Sequence, residues 1–360
     1  MTTARILAIL FSILLSLFIA ACGGGSGGGS GSATGGSANG SGGGTGTPLF
    51  SVDQTARFNQ PGDIVVDSSG NIYVMDRGNQ AIRKIAANGD VSTLSGSWSE
   101  NSKLAIEASG NLAMLADTEL YRVSADGTRT LVKSYAQQPG SYMPIRVAAD
   151  AQGRLYVMLR YRNLFRVERI NADSTTNTIY YLNTYGYASY LASDADGNIA
   201  VGVVPPDVEV AGAGQGYIDY VPLSVQSADE SHAAGIVSWP VDFAYLSNGD
   251  MAFDPSGNLA IAGGRYTLSN VDSTVTYDYT AIVIGKMTQD GTLKPVFSGF
   301  PNGDSTPRQM DAGIYRNIGV AADSGNLYLS DPFDHAIYRI DTSGQATLVA
   351  GMPGEAGSSD

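Results

Sequence analysis

The chain has 360 residues, 43% of them apolar, which is enough for one large β domain or two ordinary ones with a sizeable core. A formal charge of −13 argues against nucleic acid or an anionic lipid surface as the main partner. The single cysteine, Cys22, rules out an intramolecular disulfide, and with only two histidines, His232 and His335, a His-rich zinc site is excluded.

Taken in order, Met1 to Ala21 shows one early positive charge at Arg5, an apolar run from Ile6 to Ile19 and a small-residue end. This is the pattern of a secretory signal, and the run is too short to span a membrane comfortably. The segment ends in Ile19-Ala20-Ala21-Cys22, which resembles the lipobox of bacterial lipoproteins. The resemblance implies that Cys22 is lipidated and begins the mature chain. Because Gly23 rather than Asp follows it, the resemblance also implies an outer-membrane anchor, facing the periplasm or the surface. Residues 22–47 then form the lipidated Cys and a tether. From Gly23 to Thr47 the tether holds only Gly, Ser, Ala, Thr and Asn, which bury too little apolar area to offset ordering entropy. A random coil of about 25 residues has an r.m.s. span of roughly 25–30 Å, so the folded domain, 48–360, is expected to stand off the membrane.

After Pro48 to Gln60 comes the stretch that sets the pattern, Pro61 to Gly96. Its four apolar runs, Ile64 to Val66, Ile72 to Met75, Ala81 to Ile85 and Val91 to Leu94, are separated by Asp/Ser/Gly/Asn clusters, the signal for consecutive strands and tight turns. Its first turn, Asp67-Ser-Ser-Gly70-Asn71, combines a carboxylate that caps backbone N–H groups with a glycine suited to positive φ. The marker returns at Glu107 to Asn111, Asp150 to Arg154, Asp194 to Asn198, Asp254 to Asn258 and, one residue shorter, Asp323 to Asn326. Six copies at a period of about 40 residues or more indicate a repeat architecture, with insertions near 205–240 and 265–279.

Each marker is followed by a nearly continuous apolar strand, such as Leu155 to Met158 or Ile199 to Val203, so both sheet faces are predicted to be buried. Third and fourth strands follow in most copies, for example Leu120 to Val123 with Thr130 to Lys133. The outer half of the fourth copy must come from Pro205 to Pro240. The loop Gly351 to Asp360 and its apparent continuation Thr55 to Pro61 suggest that the first and last copies meet, with Leu49 to Val52 as a further latching strand.

Pro61 to Gly96 resembles an NHL repeat, and so does Asn317 to Gly351; the other four copies match more weakly. The resemblance implies an all-β fold, a six-bladed β-propeller of four-stranded antiparallel blades, in agreement with the six markers. Some relatives of this fold are metal-dependent lactonases or a zinc-dependent amidating lyase.

Candidate ligand-binding residues are the polar groups in loops after the second strands: Asp76, Arg77 and Asn79, Asp117, Arg160 and Arg162, and Asp331, Asp334 and His335. In this place Asp is part of the repeat, and its default role is to hold the loop. Tyr217, Tyr220 and Tyr266 join them from the two insertions, since Tyr offers rigid area and a hydroxyl. Arg146, Arg154, Arg160, Arg162, Arg166 and Arg169 crowd the third copy. No residue is identified as catalytic and no cofactor is called for, although carboxylates and Asn leave calcium open. Gly24 to Gly28, Asp194 to Asn198 and Gly212 to Gly216 match fragments of hydrolase, calcium-loop and dinucleotide motifs, but each lacks the required context. The reading is a lipid-anchored scaffold for an envelope protein or glycan. The alternatives are a metal-dependent hydrolase or lyase on the same ring, and a structural envelope component without a discrete ligand.

Overall fold

The computed structural model describes residues 55–135, 141–183, 187–204, 215–226, 236–242, 249–271, 274–309 and 318–360. The expectations for the signal, Cys22, the tether and Leu49 to Val52 lie outside these residues.

Six antiparallel sheets follow one another along the chain. Blade one is β1 (Pro61–Val66), β2 (Ile72–Asp76), β3 (Ala81–Ile85) and β4 (Val91–Ser95); blade two is β5 (Lys103–Ile106), β6 (Leu112–Ala116), β7 (Glu119–Val123) and β8 (Arg129–Ser134). Blade three comprises β9 (Met143–Ala149), β10 (Leu155–Tyr161), β11 (Leu164–Ile170) and β12 (Thr176–Asn183), and blade four β13 (Tyr187–Ser193), β14 (Ile199–Val204), β15 (Gln215–Val221) and β16 (Val237–Asp242). Blade five is β17 (Asp250–Phe253), β18 (Leu259–Val271), β19 (Thr274–Met287) and β20 (Leu293–Gly299), with the short β21 (Arg308–Gln309) on β19; β22 (Gly319–Ala322), β23 (Leu327–Asp331), β24 (Ala336–Ile340) and β25 (Ala346–Gly351) complete blade six.

The marker turns explain why each blade begins as a hairpin. Asp67 Oδ1 accepts the N–H groups of Ser69 and Asn71, both at 2.9 Å, and Gly70 sits at φ +82°. Asp150, Asp194 and Asp254 repeat this arrangement. Blade two differs because Glu107 is one carbon longer: it is bonded by the Arg122 guanidinium at 2.6–2.9 Å, while Ser109 Oγ takes the Asn111 N–H. In the shortened blade-six marker, Asp323 accepts from Gly325 and Asn326 and the glycine needs no positive φ.

The second strands are buried along their whole length in blades one, four and six, as continuous hydrophobicity predicted. Their side chains build an apolar core at every blade interface. Met75, Leu104 and Met114 join blades one and two; Leu115, Val147 and Val157 join two and three; Met158, Val167 and Val201 join three and four. Ala200, Met251 and Ile261 fill the next interface, Ile284, Val320 and Leu329 the one between five and six, and Ile64, Val74, Ala321 and Ile337 the last. The first strands contact one another around the ring, and β22 against β1 closes it.

The outer half of blade four comes, as expected, from within 205–240: β15 starts inside the Gly-rich segment at Gln215 and β16 carries Trp239 and Pro240 at the sheet edge. The insertion at 265–279 takes the form of the outer part of the long β18–β19 hairpin, paired from Leu259↔Met287 to Val271↔Thr274 with a register shift between Arg265 and Tyr266.

Among the described residues, blades six and one are built from separate strands, β22–β25 and β1–β4. The chain after β25 instead returns across blade one: Arg57 N–H donates to Ser359 O, and Gly357 N–H to Phe58 O, each at 3.0 Å. Arg83, 1% exposed on β3, draws these pieces together. Its guanidinium donates to Arg57 O (3.0 Å) and Ser359 O (2.7 Å), pairs with Asp76 (3.2 Å) and Asp360 (2.7 Å), and lies over the Phe58 ring. Removing one member of such a buried pair strands the other. Arg83→Met is therefore expected to lower unfolding stability by about 3–5 kcal/mol, and the double variant with Asp76→Asn to recover part of the loss, both read by denaturant titration.

Candidate functional site

Within each blade the chain alternates direction, so the marker turns and the third-to-fourth turns lie on one face of the ring. The second-to-third loops and the inter-blade connections lie on the other, here called the loop face. Every described candidate except the two blade-four tyrosines is found there, Tyr266 in the outer part of the β18–β19 hairpin.

Most of these residues hold the loops. Asp76 accepts from Asn59 N–H (2.8 Å), Asn79 Nδ2 (2.7 Å) and Arg83; burial nevertheless pushes its carboxyl up to about 6. Asn79 also donates to Gly357 O at 2.6 Å. Arg77 donates to Glu100 O (2.9 Å), and Asp117 accepts from Ser99 Oγ (2.8 Å). Asp331 and Asp334 grip Arg308 at 3.1 and 3.3 Å, and burial raises Asp331 to about 6. The Gln60 N–H donates to His335 Nδ1 at 3.0 Å, joining blade six to the strand leading into blade one.

Tyr217 and Tyr220 stand on β15 rather than in an inserted loop. Tyr217 packs on the core between blades three and four, and Tyr220 stacks on Trp239 with centroids 5.2 Å apart. Tyr266 lies on β18 opposite Tyr279.

The arginines of blade three disperse. Arg154 binds Asp150 at the marker turn (2.5 Å), Arg166 pairs with Glu168 (2.8 Å), and Arg169 donates to Gln226 (3.1 Å). Arg160 and Arg162 remain exposed at the β10–β11 turn, over the Phe165 and Tyr161 rings, and Arg162 has φ +52°. Tyr142 lies 5.8 Å from Tyr161 between ring centroids, under the Arg166 guanidinium, and the neighbouring Met143 is 42% exposed. The patch joins exposed cations to aromatic faces.

Arg146 leads to a second constellation. The residue four places before each marker acid is Asp63, Lys103, Arg146, Tyr190, Asp250 and Gly319 in blades one to six. These equivalent positions form a belt at the loop-face end of the innermost strands. Three of them, Asp63, Arg146 and Asp250, line an axial cavity of about 140 Å³. Lys103 Nζ bonds Asp63 at 3.2 Å, Arg146 approaches the same carboxylate at 3.9 Å, and Leu104 N–H donates to it at 3.2 Å. The Tyr190 hydroxyl accepts the Gly249 N–H (3.2 Å), while its ring lies under Arg146. Gly319 is required by close approach, since a Cβ there would fall 2.4 Å from Gly62 O.

Crowding perturbs all three of the most interlocked groups. Burial acts to raise Asp63, but Lys103, Arg146 and the Leu104 N–H outweigh it and hold the carboxyl below its ordinary range. Burial, with Arg146 alongside, brings Lys103 down to about 8. Burial and the Asp63 charge push Asp250 up to about 7 against the pull of Arg146. None of these belt residues except Arg146 stands out in the sequence; aligning the repeats on the marker and counting back four places finds them all.

Among the described residues, no group of three or more His, Cys, Asp or Glu converges to hold a metal ion. The belt's two carboxylates face two cations, a donor set that does not fit calcium.

Residues 58–85 match the NHL repeat family. No curated protein matches the chain in sequence. Among solved structures, a protein of unknown function from Bacteroides thetaiotaomicron shares 15% identity at a TM-score of 0.51, over 81% of this chain and 72% of that one. A gluconolactonase from Xanthomonas campestris is similar over 82% of this chain and 88% of its own at 14% identity and TM-score 0.49. The virginiamycin B lyase of Staphylococcus aureus, solved with quinupristin, gives 14% identity, TM-score 0.48 and coverages of 85% and 87%. At these identities the likeness concerns the fold alone.

Asp250 gives a pH signature. Its folded value lies above the ordinary 3.8, so the neutral carboxyl favours folding. That contribution is complete below the unfolded value and is lost as pH rises through about 7. Asp250→Asn stays neutral throughout. Its melting temperature is expected to exceed the wild-type value at about pH 8, with the gap closing as pH falls toward about 4.

Proposed function

From the premise of a six-bladed NHL-repeat β-propeller, we propose that the chain is a lipid-anchored, extracytoplasmic binding protein that engages an envelope protein or glycan on its loop face. The observation that carries this reading is the blade-three patch, where Arg160 and Arg162 stand exposed beside Tyr142, Tyr161 and Met143. Arg, Tyr and Met are the residue types concentrated at the centres of protein interfaces, and Arg and Tyr dominate their binding energy. On a chain of net charge −13 a local cationic patch favours acidic groups on the partner. The β18–β19 hairpin extends past the other strands of blade five on the same face and enlarges the surface.

A metal-dependent hydrolase or lyase on this ring is the second reading, favoured by Asp250 and Lys103, whose values of about 7 and about 8 lie close to neutrality as general acid–base groups require.

The anchor and the surface are separately testable. Cys22→Ala is expected to abolish lipid labelling and move the protein from the membrane to the soluble fraction. Arg160→Glu combined with Arg162→Glu is expected to weaken capture of a crosslinked envelope partner at least tenfold with the melting temperature unchanged; undiminished capture sinks the blade-three reading.

A further inference from the structure

Blades two and three carry opposite charges at the same structural position. The β6–β7 and β10–β11 hairpins both close with two-residue turns on the loop face, Asp117-Thr118 between the pair Ala116↔Glu119 and Arg162-Asn163 between Tyr161↔Leu164. The first turn residue is left-handed in both, at φ +50° for Asp117 and +52° for Arg162, and both residues are exposed. Ser99 Oγ donates to Asp117 at 2.8 Å, and the exposed Glu100 extends the acidic side as the exposed Arg160 extends the basic one. Among the described residues, neither Asp117 nor Arg162 meets an opposite charge within the chain. The turn falls seven residues after the marker glycine Gly110 in blade two and nine after Gly153 in blade three, so the basic hairpin stands roughly 7 Å higher. Beside these hairpins Tyr142 packs on the core that joins the two blades, and its neighbour Met143 is 42% exposed.

We propose that the partner of the blade-three patch is a second copy of this chain, related by a two-fold axis that lies along the loop face between blades two and three. Such a pairing presupposes the blade-three binding surface proposed above and names what sits on it. Rotation about that axis lays blade two of each copy on blade three of the other. Arg162 of each copy then faces Asp117 of the other, and the raised basic hairpin fills the lower acidic step. A residue on the axis meets its own copy, which repels if charged and packs if aromatic or thioether; Tyr142 and Met143 stand there. The net charge of −13 opposes association of copies in general, so pairing requires a surface where unlike charges alternate, as they do here. The long β18–β19 hairpin stands across the ring on blade five, which restricts the contact to the rim of blades two and three and makes the dimer a weak one.

The test is sedimentation velocity of the intact, detergent-solubilised protein from about 1 to about 100 μM. The wild type is expected to pass from monomer to dimer in this range, at least tenfold more weakly in about 0.5 M salt than in about 0.05 M. Arg162→Asp and Asp117→Arg each give a turn the residue that the neighbouring blade already holds at the same left-handed φ. Each sets like charges together at both contacts and should weaken dimerisation at least tenfold. Mixed in equal amounts, the two variants present unlike charges again and should form a heterodimer as strong as the wild-type dimer. The proposal is overturned by a wild type that stays monomeric to about 100 μM, by either variant dimerising like the wild type, or by a mixture no stronger than its components. Should a variant melt below the wild type, wild-type dimerisation indifferent to salt overturns it equally. A monomeric wild type whose capture of another envelope protein is lost in Arg162→Asp overturns the second-copy partner alone; monomeric protein with undiminished capture overturns the blade-three surface as well.

Discussion

A carboxylate that turns the chain is the interaction on which the rest of this molecule depends. In four blades an Asp accepts the N–H groups two and four residues ahead, and the hairpin that leaves this turn has one possible register. Register matters because a slip of one residue would exchange the two faces of a strand, both of which are packed here. It also decides which side chain of the innermost strand reaches the channel. The turn thus connects local backbone chemistry to the composition of the axial belt, four residues upstream. Blade two reaches the same geometry with the Glu107–Arg122 ion pair in place of the short carboxylate.

The recurring acids at the ends of the second strands have a related but separate task. Asp76 and Asp331 occupy matching positions in blades one and six, and both are fully buried. Each receives an arginine, Arg83 from its own blade in one case and Arg308 from the preceding connection in the other. Seven residues after each Asp comes Arg83 or Tyr338, and both point back into the loop, Tyr338 bonding Asp334 at 2.6 Å. These groups are poor candidates for ligands because their acceptor capacity is already used.

How much of this the sequence discloses follows from what each feature requires. The marker turns need particular residue types, so they repeat visibly, and the six blades could be counted from them. Blade four was obscured where its strands have unstrandlike composition: β15 opens on a glycine-rich run and β16 contains Pro240. Tyr217 and Tyr220 consequently looked like loop residues although both are packed. The belt was hidden for a different reason. It is assembled from one residue per blade, with Asp, Lys, Arg, Tyr, Asp and Gly at the same position, so no local pattern announces it. Long-range convergence of single residues becomes visible only once register is known.

The ends of the ring meet blade against blade, β22 beside β1, and this has a consequence for how it assembles. Every blade is a contiguous piece of chain that packs on its sequence neighbours, so a growing polypeptide can add blades one after another at little cost in loop-closure entropy. Hydrogen bonds that help seal the ring, Ser330 to Gly62 O and Ser359 to Thr55 O, instead join residues 268 and 304 positions apart. Closure then waits for blade six and is the step with the highest contact order. Until it occurs, the outward faces of blades one and six, with Ile64, Val74, Ala321 and Ile337, are open to water and to other chains. The unsealed ring is the species that a chaperone would need to guard.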